Sequence, residues 1–209
     1  MNLSSVARVA VVVWLGSAAA SAQTVDLTSI SLQELLDVEI SSASKFPQAV
    51  IRAPASITVV TAEEIRRFGH RSLADVLRSV RGLYITDDRN YSYTGVRGFA
   101  RPGDYNTRVL LLVDGHRLND PIYDMAPVGG DFPIDVEAID RVEIIRGAGS
   151  SLYGTSAFLA VVNVITRTGK QDDRAVVSTT AGSLGSIGGR ASVGHVFSNG
   201  ASAVFGGSL

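Results

Sequence analysis

The chain has 209 residues, and its 19 lysines and arginines against 20 aspartates and glutamates give a formal net charge of −1. The basic residues are scattered rather than gathered into a stripe, which argues against nucleic acid as the main partner. There is no cysteine, so disulfides, thiolate metal sites and cysteine nucleophiles are excluded. The length suffices for one domain of ordinary size with additional segments at both ends.

The first residues have the layout of a cleavable signal peptide. Arg8 is the sole charge before the apolar run 9–15, and the small residues 20–22 precede Gln23. The apolar run is too short to span a bilayer comfortably. We therefore expect residues 1–22 to be a signal peptide and residues 23–49 to form an N-terminal extension of the mature protein.

The end of this extension alternates apolar and polar side chains. The segment consists of Val38, Glu39, Ile40, Ser41, Ser42, Ala43 and Ser44. A strand with small hydroxyl side chains leaves its backbone accessible and is suited to addition onto the edge of another protein's sheet. The pattern alone fits a flexible leader without a partner equally well.

Residues 50–168 are predicted to form a globule of mixed α+β type. Thr61 with Glu64 predicts a capping box for a helix that ends at Gly69, and Ser72 with Asp75 opens a second helix that ends near Gly82. Asp114-Gly115 predicts a tight hairpin turn. Strands are expected at residues 57–60, 83–86, 109–113, 141–145 and 161–166, with one helical turn within 147–153.

Two stretches of the globule are irregular. The run 87–93 is polar and aromatic, and residues 118–132 form a long loop that contains two prolines and two glycines. A loop of that length inside a compact domain is usually functional or disordered. Any ligand contact is therefore expected in these two stretches.

Residues 169–209 change in character. Beyond Arg174, segments such as 187–197 and 201–207 place apolar residues on one parity and small or polar residues on the other, with Ser198-Asn199-Gly200 as the turn between them. This alternation is typical of transmembrane β-barrel strands, although a half-buried soluble sheet produces it as well. Two or three such strands cannot close a barrel, so we expect an N-terminal piece of a longer protein.

Several motifs, in order, resemble those of TonB-dependent outer-membrane receptors. Arg-Val-Glu-Ile-Ile-Arg-Gly (141–147), Ser-Leu-Tyr-Gly (151–154) and Val-Val-Asn-Val-Ile-Thr (161–166) are similar to the end of that family's plug domain. Upstream, Val-Arg-Gly-Phe (96–99) and Arg-Val-Leu-Leu-Leu-Val-Asp-Gly (108–115) resemble its other signatures. The resemblance implies an α+β plug domain followed by the first antiparallel strands of a transmembrane β-barrel.

The resemblance also implies a function and partners. It implies an outer-membrane receptor that imports a ferric siderophore, cobalamin or another metal complex, contacts outer-membrane lipid, and takes energy from the inner-membrane protein TonB through a TonB box at residues 38–44. Arg97 and Arg146 would lock the plug to carboxylates on the barrel wall. Neither a cofactor nor catalysis is expected. The candidate ligand contacts are Asp87, Asp88, Arg89, Tyr91, Tyr93, Asn119 and Tyr123.

Alternatives stay open at this point. A free-standing periplasmic binding domain would use the last strands to complete its own sheet, and a periplasmic hydrolase is disfavoured because no nucleophile and base can be paired. Arg97 and Arg146 would equally suit ion pairs inside the plug, with Glu143 or Asp140 as partners. Gly147-Ala148-Gly149 follows a strand but lacks the spacing of a phosphate-binding loop, so a tight turn is expected there.

Overall fold

The computed structural model describes residues 56–101, 103–171, 175–185 and 187–208, together with the backbone of two short segments, Glu39–Ile40 and Gln48–Ala49. The predicted signal peptide and most of the N-terminal extension lie outside the described residues. In the part that is described, no helix is long and apolar enough to cross a membrane.

The described chain alternates short helices with strands that form four sheets. The strands are β1 (Glu39–Ile40), β2 (Gln48–Ala49), β3 (Ser56–Thr61), β4 (Leu83–Asp87), β5 (Ser92–Val96), β6 (Val109–Val113), β7 (His116–Arg117), β8 (Ile139–Arg146), β9 (Ala160–Thr166), β10 (Ala175–Ala181), β11 (Ile187–Val196) and β12 (Ser202–Ser208). The helices are α1 (Ala62–Phe68), α2 (Leu73–Ser79) and α3 (Ser150–Tyr153), with 3-10 turns at Val136–Ala138 and Ser183–Gly185.

A five-stranded mixed sheet forms the centre of the globule, in the order β3-β8-β9-β6-β7. Strand β8 pairs antiparallel with β3 and with β9, and β9 pairs parallel with β6. Strands β4 and β5 make a separate hairpin. The mixed sheet with short helices confirms the predicted α+β plug fold.

Both faces of the central sheet are covered. One face carries Val142, Ile144, Val162 and Val164 against the helices, and the other carries Leu110, Leu112, Ile145 and Val161 against Ala157 and Tyr153. This two-sided burial explains why β6, β8 and β9 read as nearly continuous apolar runs.

The local signals for the helices are confirmed. Thr61 and Glu64 form both bonds of the capping box, and Gly69 adopts a left-handed conformation with φ of 67°. Ser72 caps α2, whose residues Leu73, Val76 and Leu77 are fully buried. Helix α2 ends at Ser79, three residues before the predicted glycine, because Val80 has already turned to an extended conformation.

The structure corrects the interpretation of the run 87–93. This run is a hairpin turn rather than a loop, and it leads into β5, a strand that the sequence analysis did not predict. Tyr93 lies on β5 and is only 8% exposed. The Asp114-Gly115 turn, in contrast, is as predicted, with positive φ at both residues.

Strands β10, β11 and β12 form their own antiparallel sheet, in that order. The side chains of their apolar parity point outward: Val177 is 76% exposed, Ile187 is 85% exposed and Phe205 is 68% exposed. Because this sheet does not join the central one, the strands do not complete a sheet of the globule, as the periplasmic alternative required. The outward apolar face is what first barrel strands present to lipid.

Candidate functional site: the apical cleft and the arginine anchors

Two loops that are distant in sequence meet at one end of the globule. Tyr91, from the β4–β5 turn, and Tyr123, from the loop after β7, line one cleft of about 570 Å³. Tyr105 lies between them in the segment that precedes β6, and its ring stands edge-on to that of Tyr91 at a centroid distance of 5.2 Å. Asp104, Thr107 and Met125 complete the lining with Gly103. We call this the apical cleft.

The chemistry of the apical cleft is aromatic with few charges. Tyr123 is 75% exposed, and Tyr91 and Tyr105 are 38% and 40% exposed, so all three rings offer surface. Asp104 is held beside Arg108, 3.9 Å away. Clefts of this size with aromatic walls and a few polar groups are typical of small-molecule binding sites.

The β4–β5 turn is held by one carboxylate. Asp88 accepts hydrogen bonds from the backbone N–H groups of Tyr91 (2.8 Å) and Asn90 (2.9 Å) and from the Tyr93 hydroxyl (2.7 Å). The bond from Tyr91, followed by those from Tyr93 and Asn90, lowers the pKa of Asp88, and the bond to Asp88 raises the pKa of Tyr93 to about 12. Asp88 and Tyr93 therefore fix the turn that presents Tyr91.

Asp87 and Arg89 complete the predicted set in this turn. Asp87 accepts from the Ser92 hydroxyl and pairs with Arg78 at 3.2 Å, so its carboxylate is engaged at the base of the hairpin. Arg89 is exposed and has a positive φ of 79°. Neither residue lines the apical cleft.

Asn119 shapes the second loop from inside. It is 6% exposed; its amide oxygen accepts from Leu111 N–H at 2.8 Å, and its amide nitrogen donates to the carbonyls of Val109 (3.0 Å) and Asp124 (2.9 Å). The Asn119 amide thus bonds to the backbone of β6 as a neighbouring strand would. All three of these bonds go to backbone groups, so Asn119 supports the loop, and its contact with a ligand stays a prediction.

Asn106 makes an equivalent set of bonds that the sequence analysis missed. Its buried amide accepts from Thr94 N–H (2.7 Å) and donates to the carbonyls of Ser92 (2.9 Å) and Ala126 (3.0 Å). It therefore joins β5 to the second loop directly behind Tyr105. The only sequence signal was a turn-forming run that ends at Asn106, next to an aromatic residue.

Arg117 ties the second loop to the turn after α3. Its guanidinium donates to Asp124 at 2.6 Å, to the Ser156 hydroxyl at 2.7 Å and to the Thr155 hydroxyl at 3.0 Å. Asp124 and Ser156 both have positive φ, which is uncommon outside glycine. The arginine thus stabilises two backbone turns in conformations that their sequences would not hold alone.

The two predicted lock arginines lie side by side at the end of β8. Arg146 donates to the Thr58 hydroxyl at 2.8 Å and to the Arg81 carbonyl, and Arg97 donates to the Arg146 carbonyl at 3.2 Å. Arg146 Nε is buried and has no hydrogen-bond partner among the described residues.

In the described part of the chain, the two carboxylates proposed as internal partners are paired with a different arginine. Arg141 instead pairs with both proposed partners, with Asp140 at 3.0 Å and with the fully buried Glu143 at 2.9 Å. Within the described ranges, Arg146 donates its hydrogen bonds to neutral oxygens.

Two further sequence predictions can be located. Glu39–Ile40, inside the predicted TonB box, forms a short antiparallel pair with Gln48–Ala49, whereas Val38 and residues 41–44 lie outside the described residues. Among the residues that the structure describes, no group of three or more histidine, aspartate or glutamate side chains converges as a metal site.

We predict that Asn119 and Tyr123 differ sharply in their effect on stability. Asn119→Ala leaves buried backbone groups of Val109, Leu111 and Asp124 without partners, and the free energy of unfolding should fall by about 1–3 kcal/mol. Tyr123→Ala removes an exposed ring and should change it by no more than about 0.5 kcal/mol. Denaturant unfolding of the two variants measures this. Equal effects would contradict the division between support and surface.

Comparison with known proteins assigns the family. The family model described as "TonB-dependent Receptor Plug Domain" matches residues 49–161, more than half of the chain. The chain is 36% identical over 151 residues to the vitamin B12 transporter BtuB of Vibrio vulnificus, which covers 70% of the chain and 23% of that protein. It is 32% identical over 136 residues to the iron-regulated outer membrane virulence protein of Vibrio cholerae, which covers 63% and 20%.

A solved structure agrees. The ferripyoverdine receptor of the outer membrane of Pseudomonas aeruginosa superimposes with a TM-score of 0.65 at 25% identity, over 80% of this chain and 22% of that one. The chain therefore spans about a quarter or less of the length of the proteins it matches. On the family match, the sequence relatives and the shared fold, the chain belongs to the TonB-dependent outer-membrane receptors and carries their plug domain.

Proposed function

We propose that the receptor to which this chain belongs imports a scarce ligand, such as a ferric siderophore, cobalamin or another metal complex, across the outer membrane. The apical cleft is the observation that carries the proposal, because three segments converge there and each presents one tyrosine ring. The names of the relatives support it, since one is a vitamin B12 transporter, one is iron-regulated and one binds ferripyoverdine.

The structure around the cleft supports a preorganised site. Asp88 holds the turn that carries Tyr91, Asn106 lies behind Tyr105, and Asn119 holds the loop that carries Tyr123. A loop held in its binding conformation loses little conformational entropy when the ligand arrives. We therefore assign direct contact to Tyr91, Tyr105 and Tyr123, and support to Asp88, Tyr93 and Asn119.

The cleft predicts a loss of affinity on truncation of its aromatic walls. In the full-length receptor, Tyr91→Ala and Tyr123→Ala should each weaken ligand binding by about tenfold or more, because aromatic anchors carry a large share of binding energy. Phe68→Ala is the matched control, since Phe68 is 67% exposed on α1 and does not line the cleft. Radiolabelled ligand binding to intact cells measures this, and unchanged affinity in both tyrosine variants would remove the cleft from the binding site.

Energy for import would come from TonB, and we propose that Val38–Ser44 is the segment that TonB contacts. A strand binds its partner through backbone hydrogen bonds, and Glu39–Ile40 already adopts a strand in this chain. The pairing of Glu39–Ile40 with Gln48–Ala49 occupies one edge of this strand. TonB would either add a strand to the other edge or replace Gln48–Ala49.

Proline substitution tests whether TonB contacts this segment. Ile40→Pro removes a backbone donor from the segment and should abolish uptake while ligand binding stays intact. Ala49→Pro is the control, because it disturbs the internal pair without altering the segment itself, and uptake should persist. Normal uptake with Ile40→Pro would exclude the segment as the TonB contact.

We further propose that Arg97 and Arg146 anchor the plug to carboxylates on the barrel wall. Support comes from the partly buried guanidinium of Arg146, which donates to neutral oxygens in the described chain, and from Arg97 beside it. A guanidinium is always charged and forms two parallel bonds to a carboxylate.

Replacement of Arg146 tests the anchor. Arg146→Ala would leave a wall carboxylate unpaired at a cost of about 3–5 kcal/mol, which should raise permeability to bulky antibiotics with little change in ligand affinity. Arg146→Lys should restore the barrier in part, because an ammonium does not reproduce the planar fork. Antibiotic susceptibility of cells that express each variant is the measurement. If Arg146→Ala leaves susceptibility and receptor stability unchanged, the anchor assignment is wrong.

A further inference from the structure

Arg190 on β11 contacts the globule in a way that the family resemblance did not lead us to expect. It is the single lysine, arginine, aspartate or glutamate between residues 175 and 209. Its side chain is only 12% exposed. A lone charge in a sheet of apolar and small residues is costly unless it is paired. Its partners therefore identify the surface that this sheet contacts.

The partners are two carboxylates at the start of β8. Arg190 Nε lies 3.4 Å from Asp135 Oδ2, and Arg190 Nη1 lies 3.1 Å from Glu137 Oε2. The other Asp135 oxygen, Oδ1, accepts from the backbone N–H of Glu137 at 2.9 Å and so caps the 3-10 turn. The turn thus fixes the Asp135 carboxylate and the backbone of Glu137 in place before the arginine is added.

The inner face of the sheet is shaped for this contact. Arg190 is paired across the strands with Ser178 and Ser208, and both are small. On the same face of β11, Ser192 and Gly194 are buried. A Cβ at Gly206 would come within 3.2 Å of Ser192, which shows how closely the strands pack beside the arginine.

We infer that Arg190, Asp135 and Glu137 form a second anchor between the plug and the barrel wall, with charges opposite to those of Arg97 and Arg146. Here the wall supplies the cation and the plug supplies the carboxylates. The two anchors hold opposite ends of β8, since Asp135 and Glu137 precede Ile139 and Arg146 is its last residue. The partner of the acidic turn is therefore the inner face of β11 in the same chain.

The second anchor does not depend on which ligand is imported. It fixes the segment 133–139 to the wall, and this segment leads directly into β8. Because eight strand residues extend over about 26 Å, the two anchors act at separate points. Loss of one should therefore free its own end of β8 and leave the other end held.

Thiol accessibility in the full-length receptor tests the anchor. Val136 is 6% exposed between the two carboxylates, so a Val136→Cys thiol, in a background freed of other cysteines, should react slowly with a membrane-impermeant maleimide. Arg190→Glu should speed the reaction by about tenfold or more, because like charges then face each other in a partly desolvated site. Arg67→Glu is the control, since Arg67 pairs with Glu63 on an exposed helix surface, and the rate should not change.

Charge exchange distinguishes the anchor from general damage to β11. Adding Asp135→Asn and Glu137→Arg to Arg190→Glu reverses the pair while an asparagine still caps the turn, and the slow rate should return. The anchor is refuted if Arg190→Glu reacts at the parental rate, and also if the exchanged variant reacts as fast as Arg190→Glu. Ligand affinity should be preserved throughout, so failure here is distinct from failure of the import proposal.

Discussion

The pairing of β8 along both of its edges is the constraint on which the described structure depends. Its neighbours are β3 on one side and β9 on the other, and its two faces lie under separate apolar clusters. A strand in this position must satisfy every buried polar group internally. Glu143 meets that demand through Arg141, which explains why a fully buried carboxylate sits in the middle of an apolar strand.

The apical cleft and the termini of β8 have different roles in this account. The apical cleft stands on loops that buried asparagines hold from within, so its exposed tyrosines belong to a site whose backbone is fixed. The arginines and acidic residues at the termini of β8 are the groups that we propose to anchor the plug to the barrel wall. Rigid support beneath exposed aromatic rings favours recognition without a large ordering cost.

Local signals made much of the globule predictable. The capping box at Thr61, the Asp-Gly turn and the buried face of α2 each depend on residues within a few positions of one another. Strand β5 was missed because it has only five residues and Gly95 interrupts the strand-favouring run of Tyr93, Thr94 and Val96. The roles of Asn106, Asn119 and Arg190 were equally hidden, since their partners lie on other segments, from 5 residues away for Asn119 to 53 residues away for Arg190. Only the fold brings such partners together.

Amide hydrogen exchange of the full-length receptor, with and without its ligand, tests the account most directly. If β8 is the fixed element and the apical cleft binds the ligand, the amides of β8 and β9 should exchange slowest in both states. Segments 88–91 and 119–125 should become protected when the ligand is added. Fast exchange along β8, or protection that spares both segments, would contradict the account.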